Sequence, residues 1–300
     1  MRSKKRESGF TLIELLIAMA ITGVVSTAIF TVFQSQQNSY IVQEDTAVMQ
    51  QNLRAAMELM VREIRMAGYD PQNIGGLGIL DVTPRDINNS IDTTITGNGA
   101  IRISADFNDD GVLGGGETIS FSVFDFPVAA PDGNQDLARN NGGGRQLLAE
   151  NIEALSFAYA FDADGDGNLD TYADAGGNEH IIWAVDSDGD NDLDINLDTD
   201  SDGDIDAADG PGAGNNGMIG GRALVGFSGN AIPDVVVADI RAVRIWLLAR
   251  GDREDNKFLN TNTYVVGQKV ITPGTDADPN NNNLRMRLLT TNVKCRNLGL

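Results

Sequence analysis

Gly9-Phe10-Thr11-Leu12-Ile13-Glu14-Leu15-Leu16-Ile17 opens the stretch on which the reading of this chain turns. From Phe10 to Phe33 run 24 residues in which Glu14 is the only ionisable side chain. As a helix, that run spans roughly 36 Å, enough to cross a hydrocarbon core of about 30 Å with some tilt. Arg2, Lys4, Lys5 and Arg6 precede it, and a positive flank stays cytoplasmic, which puts everything after Phe33 on the far side. A secretory signal would have a shorter apolar stretch with a small-residue cleavage site after it. Here the small residue, Gly9, comes before. Cutting after Gly9 leaves the apolar helix on the mature chain, with a new amine on Phe10. A carboxylate in a bilayer is costly and marks a functional site by default. The matching cation for Glu14 is the Phe10 amine of a neighbouring copy. The bland alternative is an ordinary signal anchor with a stray Glu.

The nine residues Gly9 to Ile17 resemble the type IV prepilin cleavage and methylation motif. The resemblance implies that a membrane prepilin peptidase cuts between Gly9 and Phe10 and methylates the Phe10 amine. It implies that Glu14 aligns incoming subunits in a helical filament, with other pilins and an inner-membrane assembly platform as partners. It also implies a single-pass inner-membrane precursor with a periplasmic head, later carried into an extracellular pilus. Thr31 stands where major pilins often have a proline.

Three hundred residues allow one large domain or two small ones, and a hydrophobic content of 41% supports a folded core. The net charge is −21, and removal of residues 1–9 takes away four basic residues and one acidic residue, leaving −24. Such a surface repels nucleic acid phosphates and anionic membranes, so DNA binding by the head is not expected. A single cysteine, Cys295, precludes an internal disulfide and leaves metal as the staple for long loops.

Beyond Phe33 the helix is expected to continue in amphipathic form to Ala67. Its stripe is Ile41, Val48, Leu53, Met57, Met60 and Ile64, and Gly68 and Pro71 are the stop signals. After Pro71 come short β-prone runs separated by Gly, Asn and Asp. The expected strands are Ala100–Ser104, Thr118–Phe124, Ile152–Phe161, His180–Val185, Ala238–Ala249, Thr263–Val270 and Leu284–Arg296. The Ala238–Arg250 run also reads as a helix, with strand preferred. A long helix followed by an antiparallel sheet makes an α+β fold. The expected organisation is a leader at 1–9, a helix at 10–68 with its membrane part at 10–33, and a β-rich head at 69–300. The head carries an Asp-rich insertion at 162–209.

Asn151-Ile-Glu-Ala-Leu-Ser-Phe-Ala-Tyr159, the Ile240–Arg250 run and Val293-Lys-Cys-Arg-Asn-Leu298 extend the resemblance. They look like the PilW family of minor pilins, which is related to the minor pseudopilin J of type II secretion. That implies a low-abundance subunit that helps initiate the filament and sits at or near its tip.

Asp106-Phe-Asn108-Asp-Asp110-Gly111-Val112-Leu-Gly-Gly-Gly-Glu117 matches D-x-[DN]-x-[DN]-G-x5-E in full. Alternate residues of a tight loop aim oxygens at one centre, Gly111 permits the turn, Val112 offers its carbonyl, and Glu117 closes the shell around Ca²⁺. A plain acidic turn is the alternative. Residues 162–209 hold 17 acidic residues and no Lys or Arg. Two runs there are candidate metal ligands, Asp162, Asp164, Asp166, Asp170 and Asp198, Asp200, Asp202, Asp206. A third, Asp186 to Asp194, has Asn191 at the turn position and is the weakest. Each run places Leu or Ile between its later aspartates as an anchor to the body. Without cations, carboxylates two residues apart repel and leave such a segment unfolded, whereas oxygen-rich extracellular loops bind Ca²⁺ at about 10⁻⁴–10⁻³ M.

Asn140-Asn-Gly-Gly-Gly-Arg145 lacks the ending of a phosphate-binding loop and reads as a hairpin turn. Asp276 to Asn283 reads as a surface turn. His180 is the only histidine, Cys295 reads as a small buried residue, and no nucleophile–base arrangement supports an enzyme. The sequence therefore points to a structural minor pilin of a type IV pilus. Alternatives are a minor pseudopilin of a type II secretion or DNA-uptake system, and a calcium-dependent tip adhesin.

Overall fold

The computed structural model describes residues 10–85, 99–127, 133–209, 219–226, 229–255, 257–274 and 281–299. Residues 1–9, where a leader ending at Gly9 is expected, and most of the Asp276–Asn283 segment expected as a surface turn lie outside the described residues. The chain divides into two compact units, residues 1–47 and 48–300. Helix α1 (Leu12–Arg65) contributes to both.

In the first unit, α1 is long and apolar enough to cross a membrane. Its large apolar side chains Leu15, Val24 and Phe30, and Phe10 just before it, are all more than half exposed. The hydroxyls of this stretch turn inward on the helix itself. Thr22 donates to the Ala18 carbonyl at 2.7 Å, Thr27 to Gly23 at 2.9 Å and Thr31 to Thr27 at 2.9 Å. Satisfied within the helix, they present no unpaired donor to hydrocarbon. Thr31 continues the helix where a proline would remove a backbone bond.

In the second unit, α1 buries Met49, Leu53, Ala56, Met57, Met60 and Ile64. The spacing of three and four residues makes one stripe. The stripe differs from the expected one at its start, because Ile41 and Val48 are exposed and Met49 takes the place of Val48. That substitution closes the five-residue gap that the Val48 register left before Leu53. The helix ends at Gly68, whose φ of +78° suits no side chain. A Cβ there would also overlap the Leu298 side chain packed against it.

Two antiparallel sheets follow. The first is a meander of β1 (Ile79–Asp81), β2 (Ile101–Ser104), β3 (Thr118–Phe124), β4 (Asp136–Asn140) and β5 (Arg145–Ala149), in that spatial order. The Asn140–Arg145 segment is the turn of the β4–β5 hairpin. The remaining strands are β6 (Ile152–Phe161), β7 (Thr171–Ala173), β8 (Glu179–Ile181), β9 (Ala184–Val185), β10 (Asp192–Leu193), β11 (Ile195–Asn196), β12 (Arg222–Ala223), β13 (Val235–Val236), β14 (Ile240–Arg250), β15 (Tyr264–Val266), β16 (Lys269–Ile271) and β17 (Met286–Lys294). Six of them form the second sheet in the order β12-β11-β9-β6-β14-β17.

Strands β6 and β14 are central and covered on both faces, which explains why their alternation is only partial. Phe157, Tyr159, Ile245 and Leu247 share one core with Met60 and Ile64 of α1 and Phe121 of the first sheet. Ala154, Ala158 and Ala160 point to the other face, where their small size leaves room for Trp183 and Trp246. Ile205 and Val266, from the acidic insertion and the β15–β16 hairpin, cover that face. Each large apolar side chain so buried stabilises the head by about 1.5–3 kcal/mol. The Glu63 carboxylate accepts from Arg139 Nε at 2.9 and 3.0 Å, tying α1 to β4.

The fold is α+β, with β14 a strand. Two expected strands differ. His180–Val185 breaks after Ile181, because β8 pairs with β7 and only Ala184–Val185 joins the large sheet. Thr263–Val270 folds into the β15–β16 hairpin, since Gly267 at φ +58° begins a two-residue turn.

Candidate functional site

At the N-terminus, Thr11 caps α1. Its backbone N–H and its hydroxyl donate to Glu14 Oε2 at 2.9 and 2.8 Å, and its hydroxyl accepts from the Glu14 N–H at 3.3 Å. This is a capping box, Thr at the cap and Glu three residues on. Sequence reasoning missed it because it sought a partner for Glu14 on another copy. Phe10, immediately before the cap, is almost fully exposed, 92%.

Among the described residues the head holds four groups of three carboxylates, each group with oxygens within 4.8 Å of one another. All follow one local logic. The first aspartate of the loop is buried and accepts backbone N–H groups four and five residues on, or three and five. The next aspartates accept the N–H two residues ahead, the Asx turn that short acidic side chains favour.

In the first group Asp106, Asp110 and Glu117 converge, with Asp106 and Glu117 buried. Asp106 accepts from Asp110 and Gly111 at 3.2 and 3.1 Å, and Glu117 from Gly114 at 2.6 Å. Asn108 Oδ1 accepts from the Asp110 N–H at 3.0 Å while its amide donates to Asp110 Oδ2 at 3.0 Å. Gly111 has the expected left-handed φ of +73°, and the Val112 side chain points to solvent.

In the second, Asp162, Asp164 and Asp166 converge, and buried Asp162 accepts from Asp166 and Gly167 at 3.1 Å each. Asp170 lies outside the trio and closes the loop by accepting from the Ala163 N–H at 2.7 Å.

The third, Asp186, Asp188 and Asp190, is the run the sequence ranked weakest. Asn191 adopts φ +76° in place of glycine. The physical reason for the residue is elsewhere. Asn191 Oδ1 accepts from the Val82 N–H at 2.9 Å and its amide donates to the Leu80 carbonyl at 3.3 Å, which ties the loop to the end of β1.

In the fourth, Asp198 and Asp200 converge with Asp209, and the expected Asp202 and Asp206 lie outside that trio. Asp202 and Asp206 are exposed, and Asp206 spends its carboxylate on the Ala208 N–H at 2.6 Å. Buried Asp209 is the twelfth residue counted from Asp198, the position Glu117 occupies in the first loop. A pattern that demanded Glu at the twelfth position passed over it. The Tyr172 hydroxyl donates to Asp198, and the Arg222 guanidinium lies 4.5 Å over the Tyr172 ring. Leu193 and Ile205, the anchors between the later aspartates of these two loops, are buried, and Leu169 of the second loop packs half-buried on the core.

Burial raises the carboxyl groups of Asp170, Asp186, Asp194 and Asp198 above their ordinary value, with neighbouring aspartates adding to it. Backbone N–H bonds offset that only in part. Clustered like charges in low dielectric favour a bound cation, and an all-oxygen donor set suits a hard divalent ion.

The other polar features are local. His180 Nε2 lies 3.4 Å from Asp174, whose carboxyl is held well below its usual range by Asn178. Cys295 is buried, and burial pushes its thiol up to about 12.

Among solved structures, a type IV-like pilin, TTHA1219 from Thermus thermophilus, aligns over 84% of this chain and 98% of its own at 13% identity. The TM-score is 0.34, so the two superpose only loosely. No curated protein sequence matches the chain. The family model described as the prokaryotic N-terminal methylation motif matches residues 4–30, the segment that contains Gly9, Phe10, Thr11 and Glu14.

Proposed function

We propose that this chain is a structural subunit of a type IV pilin-like filament, a pilin or pseudopilin whose work is association. The observation that carries the reading is the methylation motif at residues 4–30 set on an exposed apolar helix. In this reading a prepilin peptidase cuts between Gly9 and Phe10, and the helix anchors the head to the inner membrane until an assembly platform inserts it among other pilins. Burial of Phe10–Phe33 against sister helices holds the bundle. In the single chain Glu14 satisfies its own helix cap. On assembly it exchanges that bond for the Phe10 amine of a neighbour, which fixes axial register. The finer reading is a PilW-type minor pilin acting at filament initiation or the tip, with the leader at 1–9 and the head at 69–300. Mass spectrometry of native material tests it: the expected N-terminus is methylated Phe10, and a retained leader overturns it.

A second reading concerns the head. Four convergent carboxylate groups, each centred on a buried aspartate, favour Ca²⁺ as a structural ion. Asp106, Asp110 and Glu117 with Asn108 and the Val112 carbonyl, Asp162, Asp164, Asp166 and Asp170, the Asp186 trio, and Asp198, Asp200 and Asp209 would hold it. Bound ions would neutralise the repulsion that otherwise opposes folding of residues 162–209, and a calcium-ordered head at a filament tip would suit surface adhesion. Thermal melting with and without chelator tests the ion: an unchanged melting temperature removes it.

A further inference from the structure

Charge is unevenly distributed across the six-stranded sheet. Residues 162–209, which include β9 and β11, hold 17 acidic residues and no basic one, whereas residues 241–300 hold ten Lys and Arg against five Asp and Glu. In the sheet order β12-β11-β9-β6-β14-β17, the acidic segments join strands on one side of β6 and the basic segments form the other. The basic side ends in β17, nine residues long, with no strand on its outer edge among the described residues. Lys294 and, just beyond the strand, Arg296 are exposed at one end of that edge and Arg287 near the other, on the opposite face of the sheet, and none has an ion-pair partner among the described residues. Arg285, by contrast, is paired with Asp255 at 2.9 Å. On the acidic side Asp202, Asp204 and Asp206 are exposed and stand outside the carboxylate groups.

Lysine and arginine on an edge strand serve in many proteins to keep other strands away. Here the three cations are opposite in sign to the exposed Asp202, Asp204 and Asp206, so a second copy of this chain offers a locally complementary surface. We infer that the β17 edge docks the acidic loops of a second copy of this chain. The two patches differ, so the contact is heterologous: it leaves a free β17 edge on one copy and free acidic loops on the other. Such contacts propagate in a line unless a rotation closes them into a ring. The unpaired backbone N–H and C=O groups of β17 add hydrogen-bonding capacity to the electrostatic attraction. Ions held by the four carboxylate groups would not engage Asp202, Asp204 and Asp206, so calcium loading and docking would not compete for the same side chains.

The inference rests on the coarser filament-subunit reading and not on the tip or initiation role, because assembled helices are what bring copies of the head side by side. It is tested with two differently tagged full-length copies, co-expressed in membranes and treated with a short thiol cross-linker. One copy carries Asn292→Cys on β17, and the other Asp204→Cys. A parallel pair carries Ala20→Cys on the apolar helix and reports helix association alone. The Asn292→Cys/Asp204→Cys product is expected at least about tenfold above the Asn292→Cys pair with itself. It should fall about tenfold when the first copy also carries Arg287→Glu, Lys294→Glu and Arg296→Glu, and return when the second carries Asp202→Lys and Asp206→Lys. Equal yields before and after charge reversal, or a dominant Asn292→Cys self-pair, overturn the docking while the Ala20→Cys product leaves the subunit reading standing. Absence of the Ala20→Cys product with the edge product retained does the reverse, and absence of both overturns both.

Discussion

Asp198 and Asp209 stand eleven residues apart in the chain, both buried, with carboxylate oxygens within 4.8 Å of each other and of Asp200. Two like charges do not hold such a position for nothing. Asp209 also accepts from the Asp206 N–H at 2.9 Å, so the same carboxylate shapes the loop and aims at its centre. If each loop takes one Ca²⁺ at extracellular affinity, 10 mM Ca²⁺ stabilises the head by about 1.4–2.7 kcal/mol per site. Calorimetry against chelator is expected to show a higher melting temperature with Ca²⁺. Asp209→Asn should remove one site's share of that shift, and Asp206→Asn should leave it intact.

At the other end of the chain, Glu14→Ala removes the acceptor for the Thr11 N–H and hydroxyl. Loss of the cap costs the helix end about 1 kcal/mol, far from the cores of the head. The expected outcome is a head with an unchanged melting temperature and a subunit absent from sheared filaments. Immunoblots of the filament and membrane fractions check it, and normal incorporation would remove the register role.

The Glu63–Arg139 ion pair joins α1 to β4, with both side chains mostly shielded from solvent. Glu63→Ala leaves the Arg139 guanidinium donating to Gln146 Oε1 at 3.3 Å. Between the small value of exposed pairs and the large cost of orphaning a buried charge, the loss should be about 1–3 kcal/mol. Denaturant melts of the two single variants and the double variant measure it, and Arg139→Leu in the Glu63→Leu background should recover part of the loss.

Cys295 has its thiol pushed up to about 12 by burial, partly offset by Arg241. A raised thiol is protonated at pH 8, with on the order of one thiolate in ten thousand. Thiol reagents should therefore leave the native chain unmodified for hours and react at once after unfolding in denaturant. Fast native-state labelling would show that the β17 end opens locally.

Much of the architecture was legible along the chain. Thr118–Phe124 and Ile152–Phe161 are strands at their expected bounds, because β-branched and aromatic residues there are flanked by turn formers. The stop of α1 near Gly68 was legible because only glycine fits a left-handed position under Leu298. Met49 was not, since Val48 satisfies the same hydrophobic pattern and only the packed head distinguishes the two. The split of His180–Val185 was hidden for a related reason: Ile181 and Val185 read alike, but one lies in a hairpin with β7 and the other in the large sheet.

The apolar run and the motif around it are written in consecutive residues, so the sequence by itself determined a helix long enough to cross a membrane and the N-terminal methylation motif. The spacing of the aspartates determined the loops' turns, since an Asx turn needs only a carboxylate and an N–H two residues away. What tertiary structure alone decided is which carboxylates meet and which face the solvent. Asp209 joins Asp198 where Asp206 does not, and Asn191 replaces a glycine because β1 lies within reach of its amide. Convergence and burial depend on groups distant in the chain, and no local spacing contains that distance.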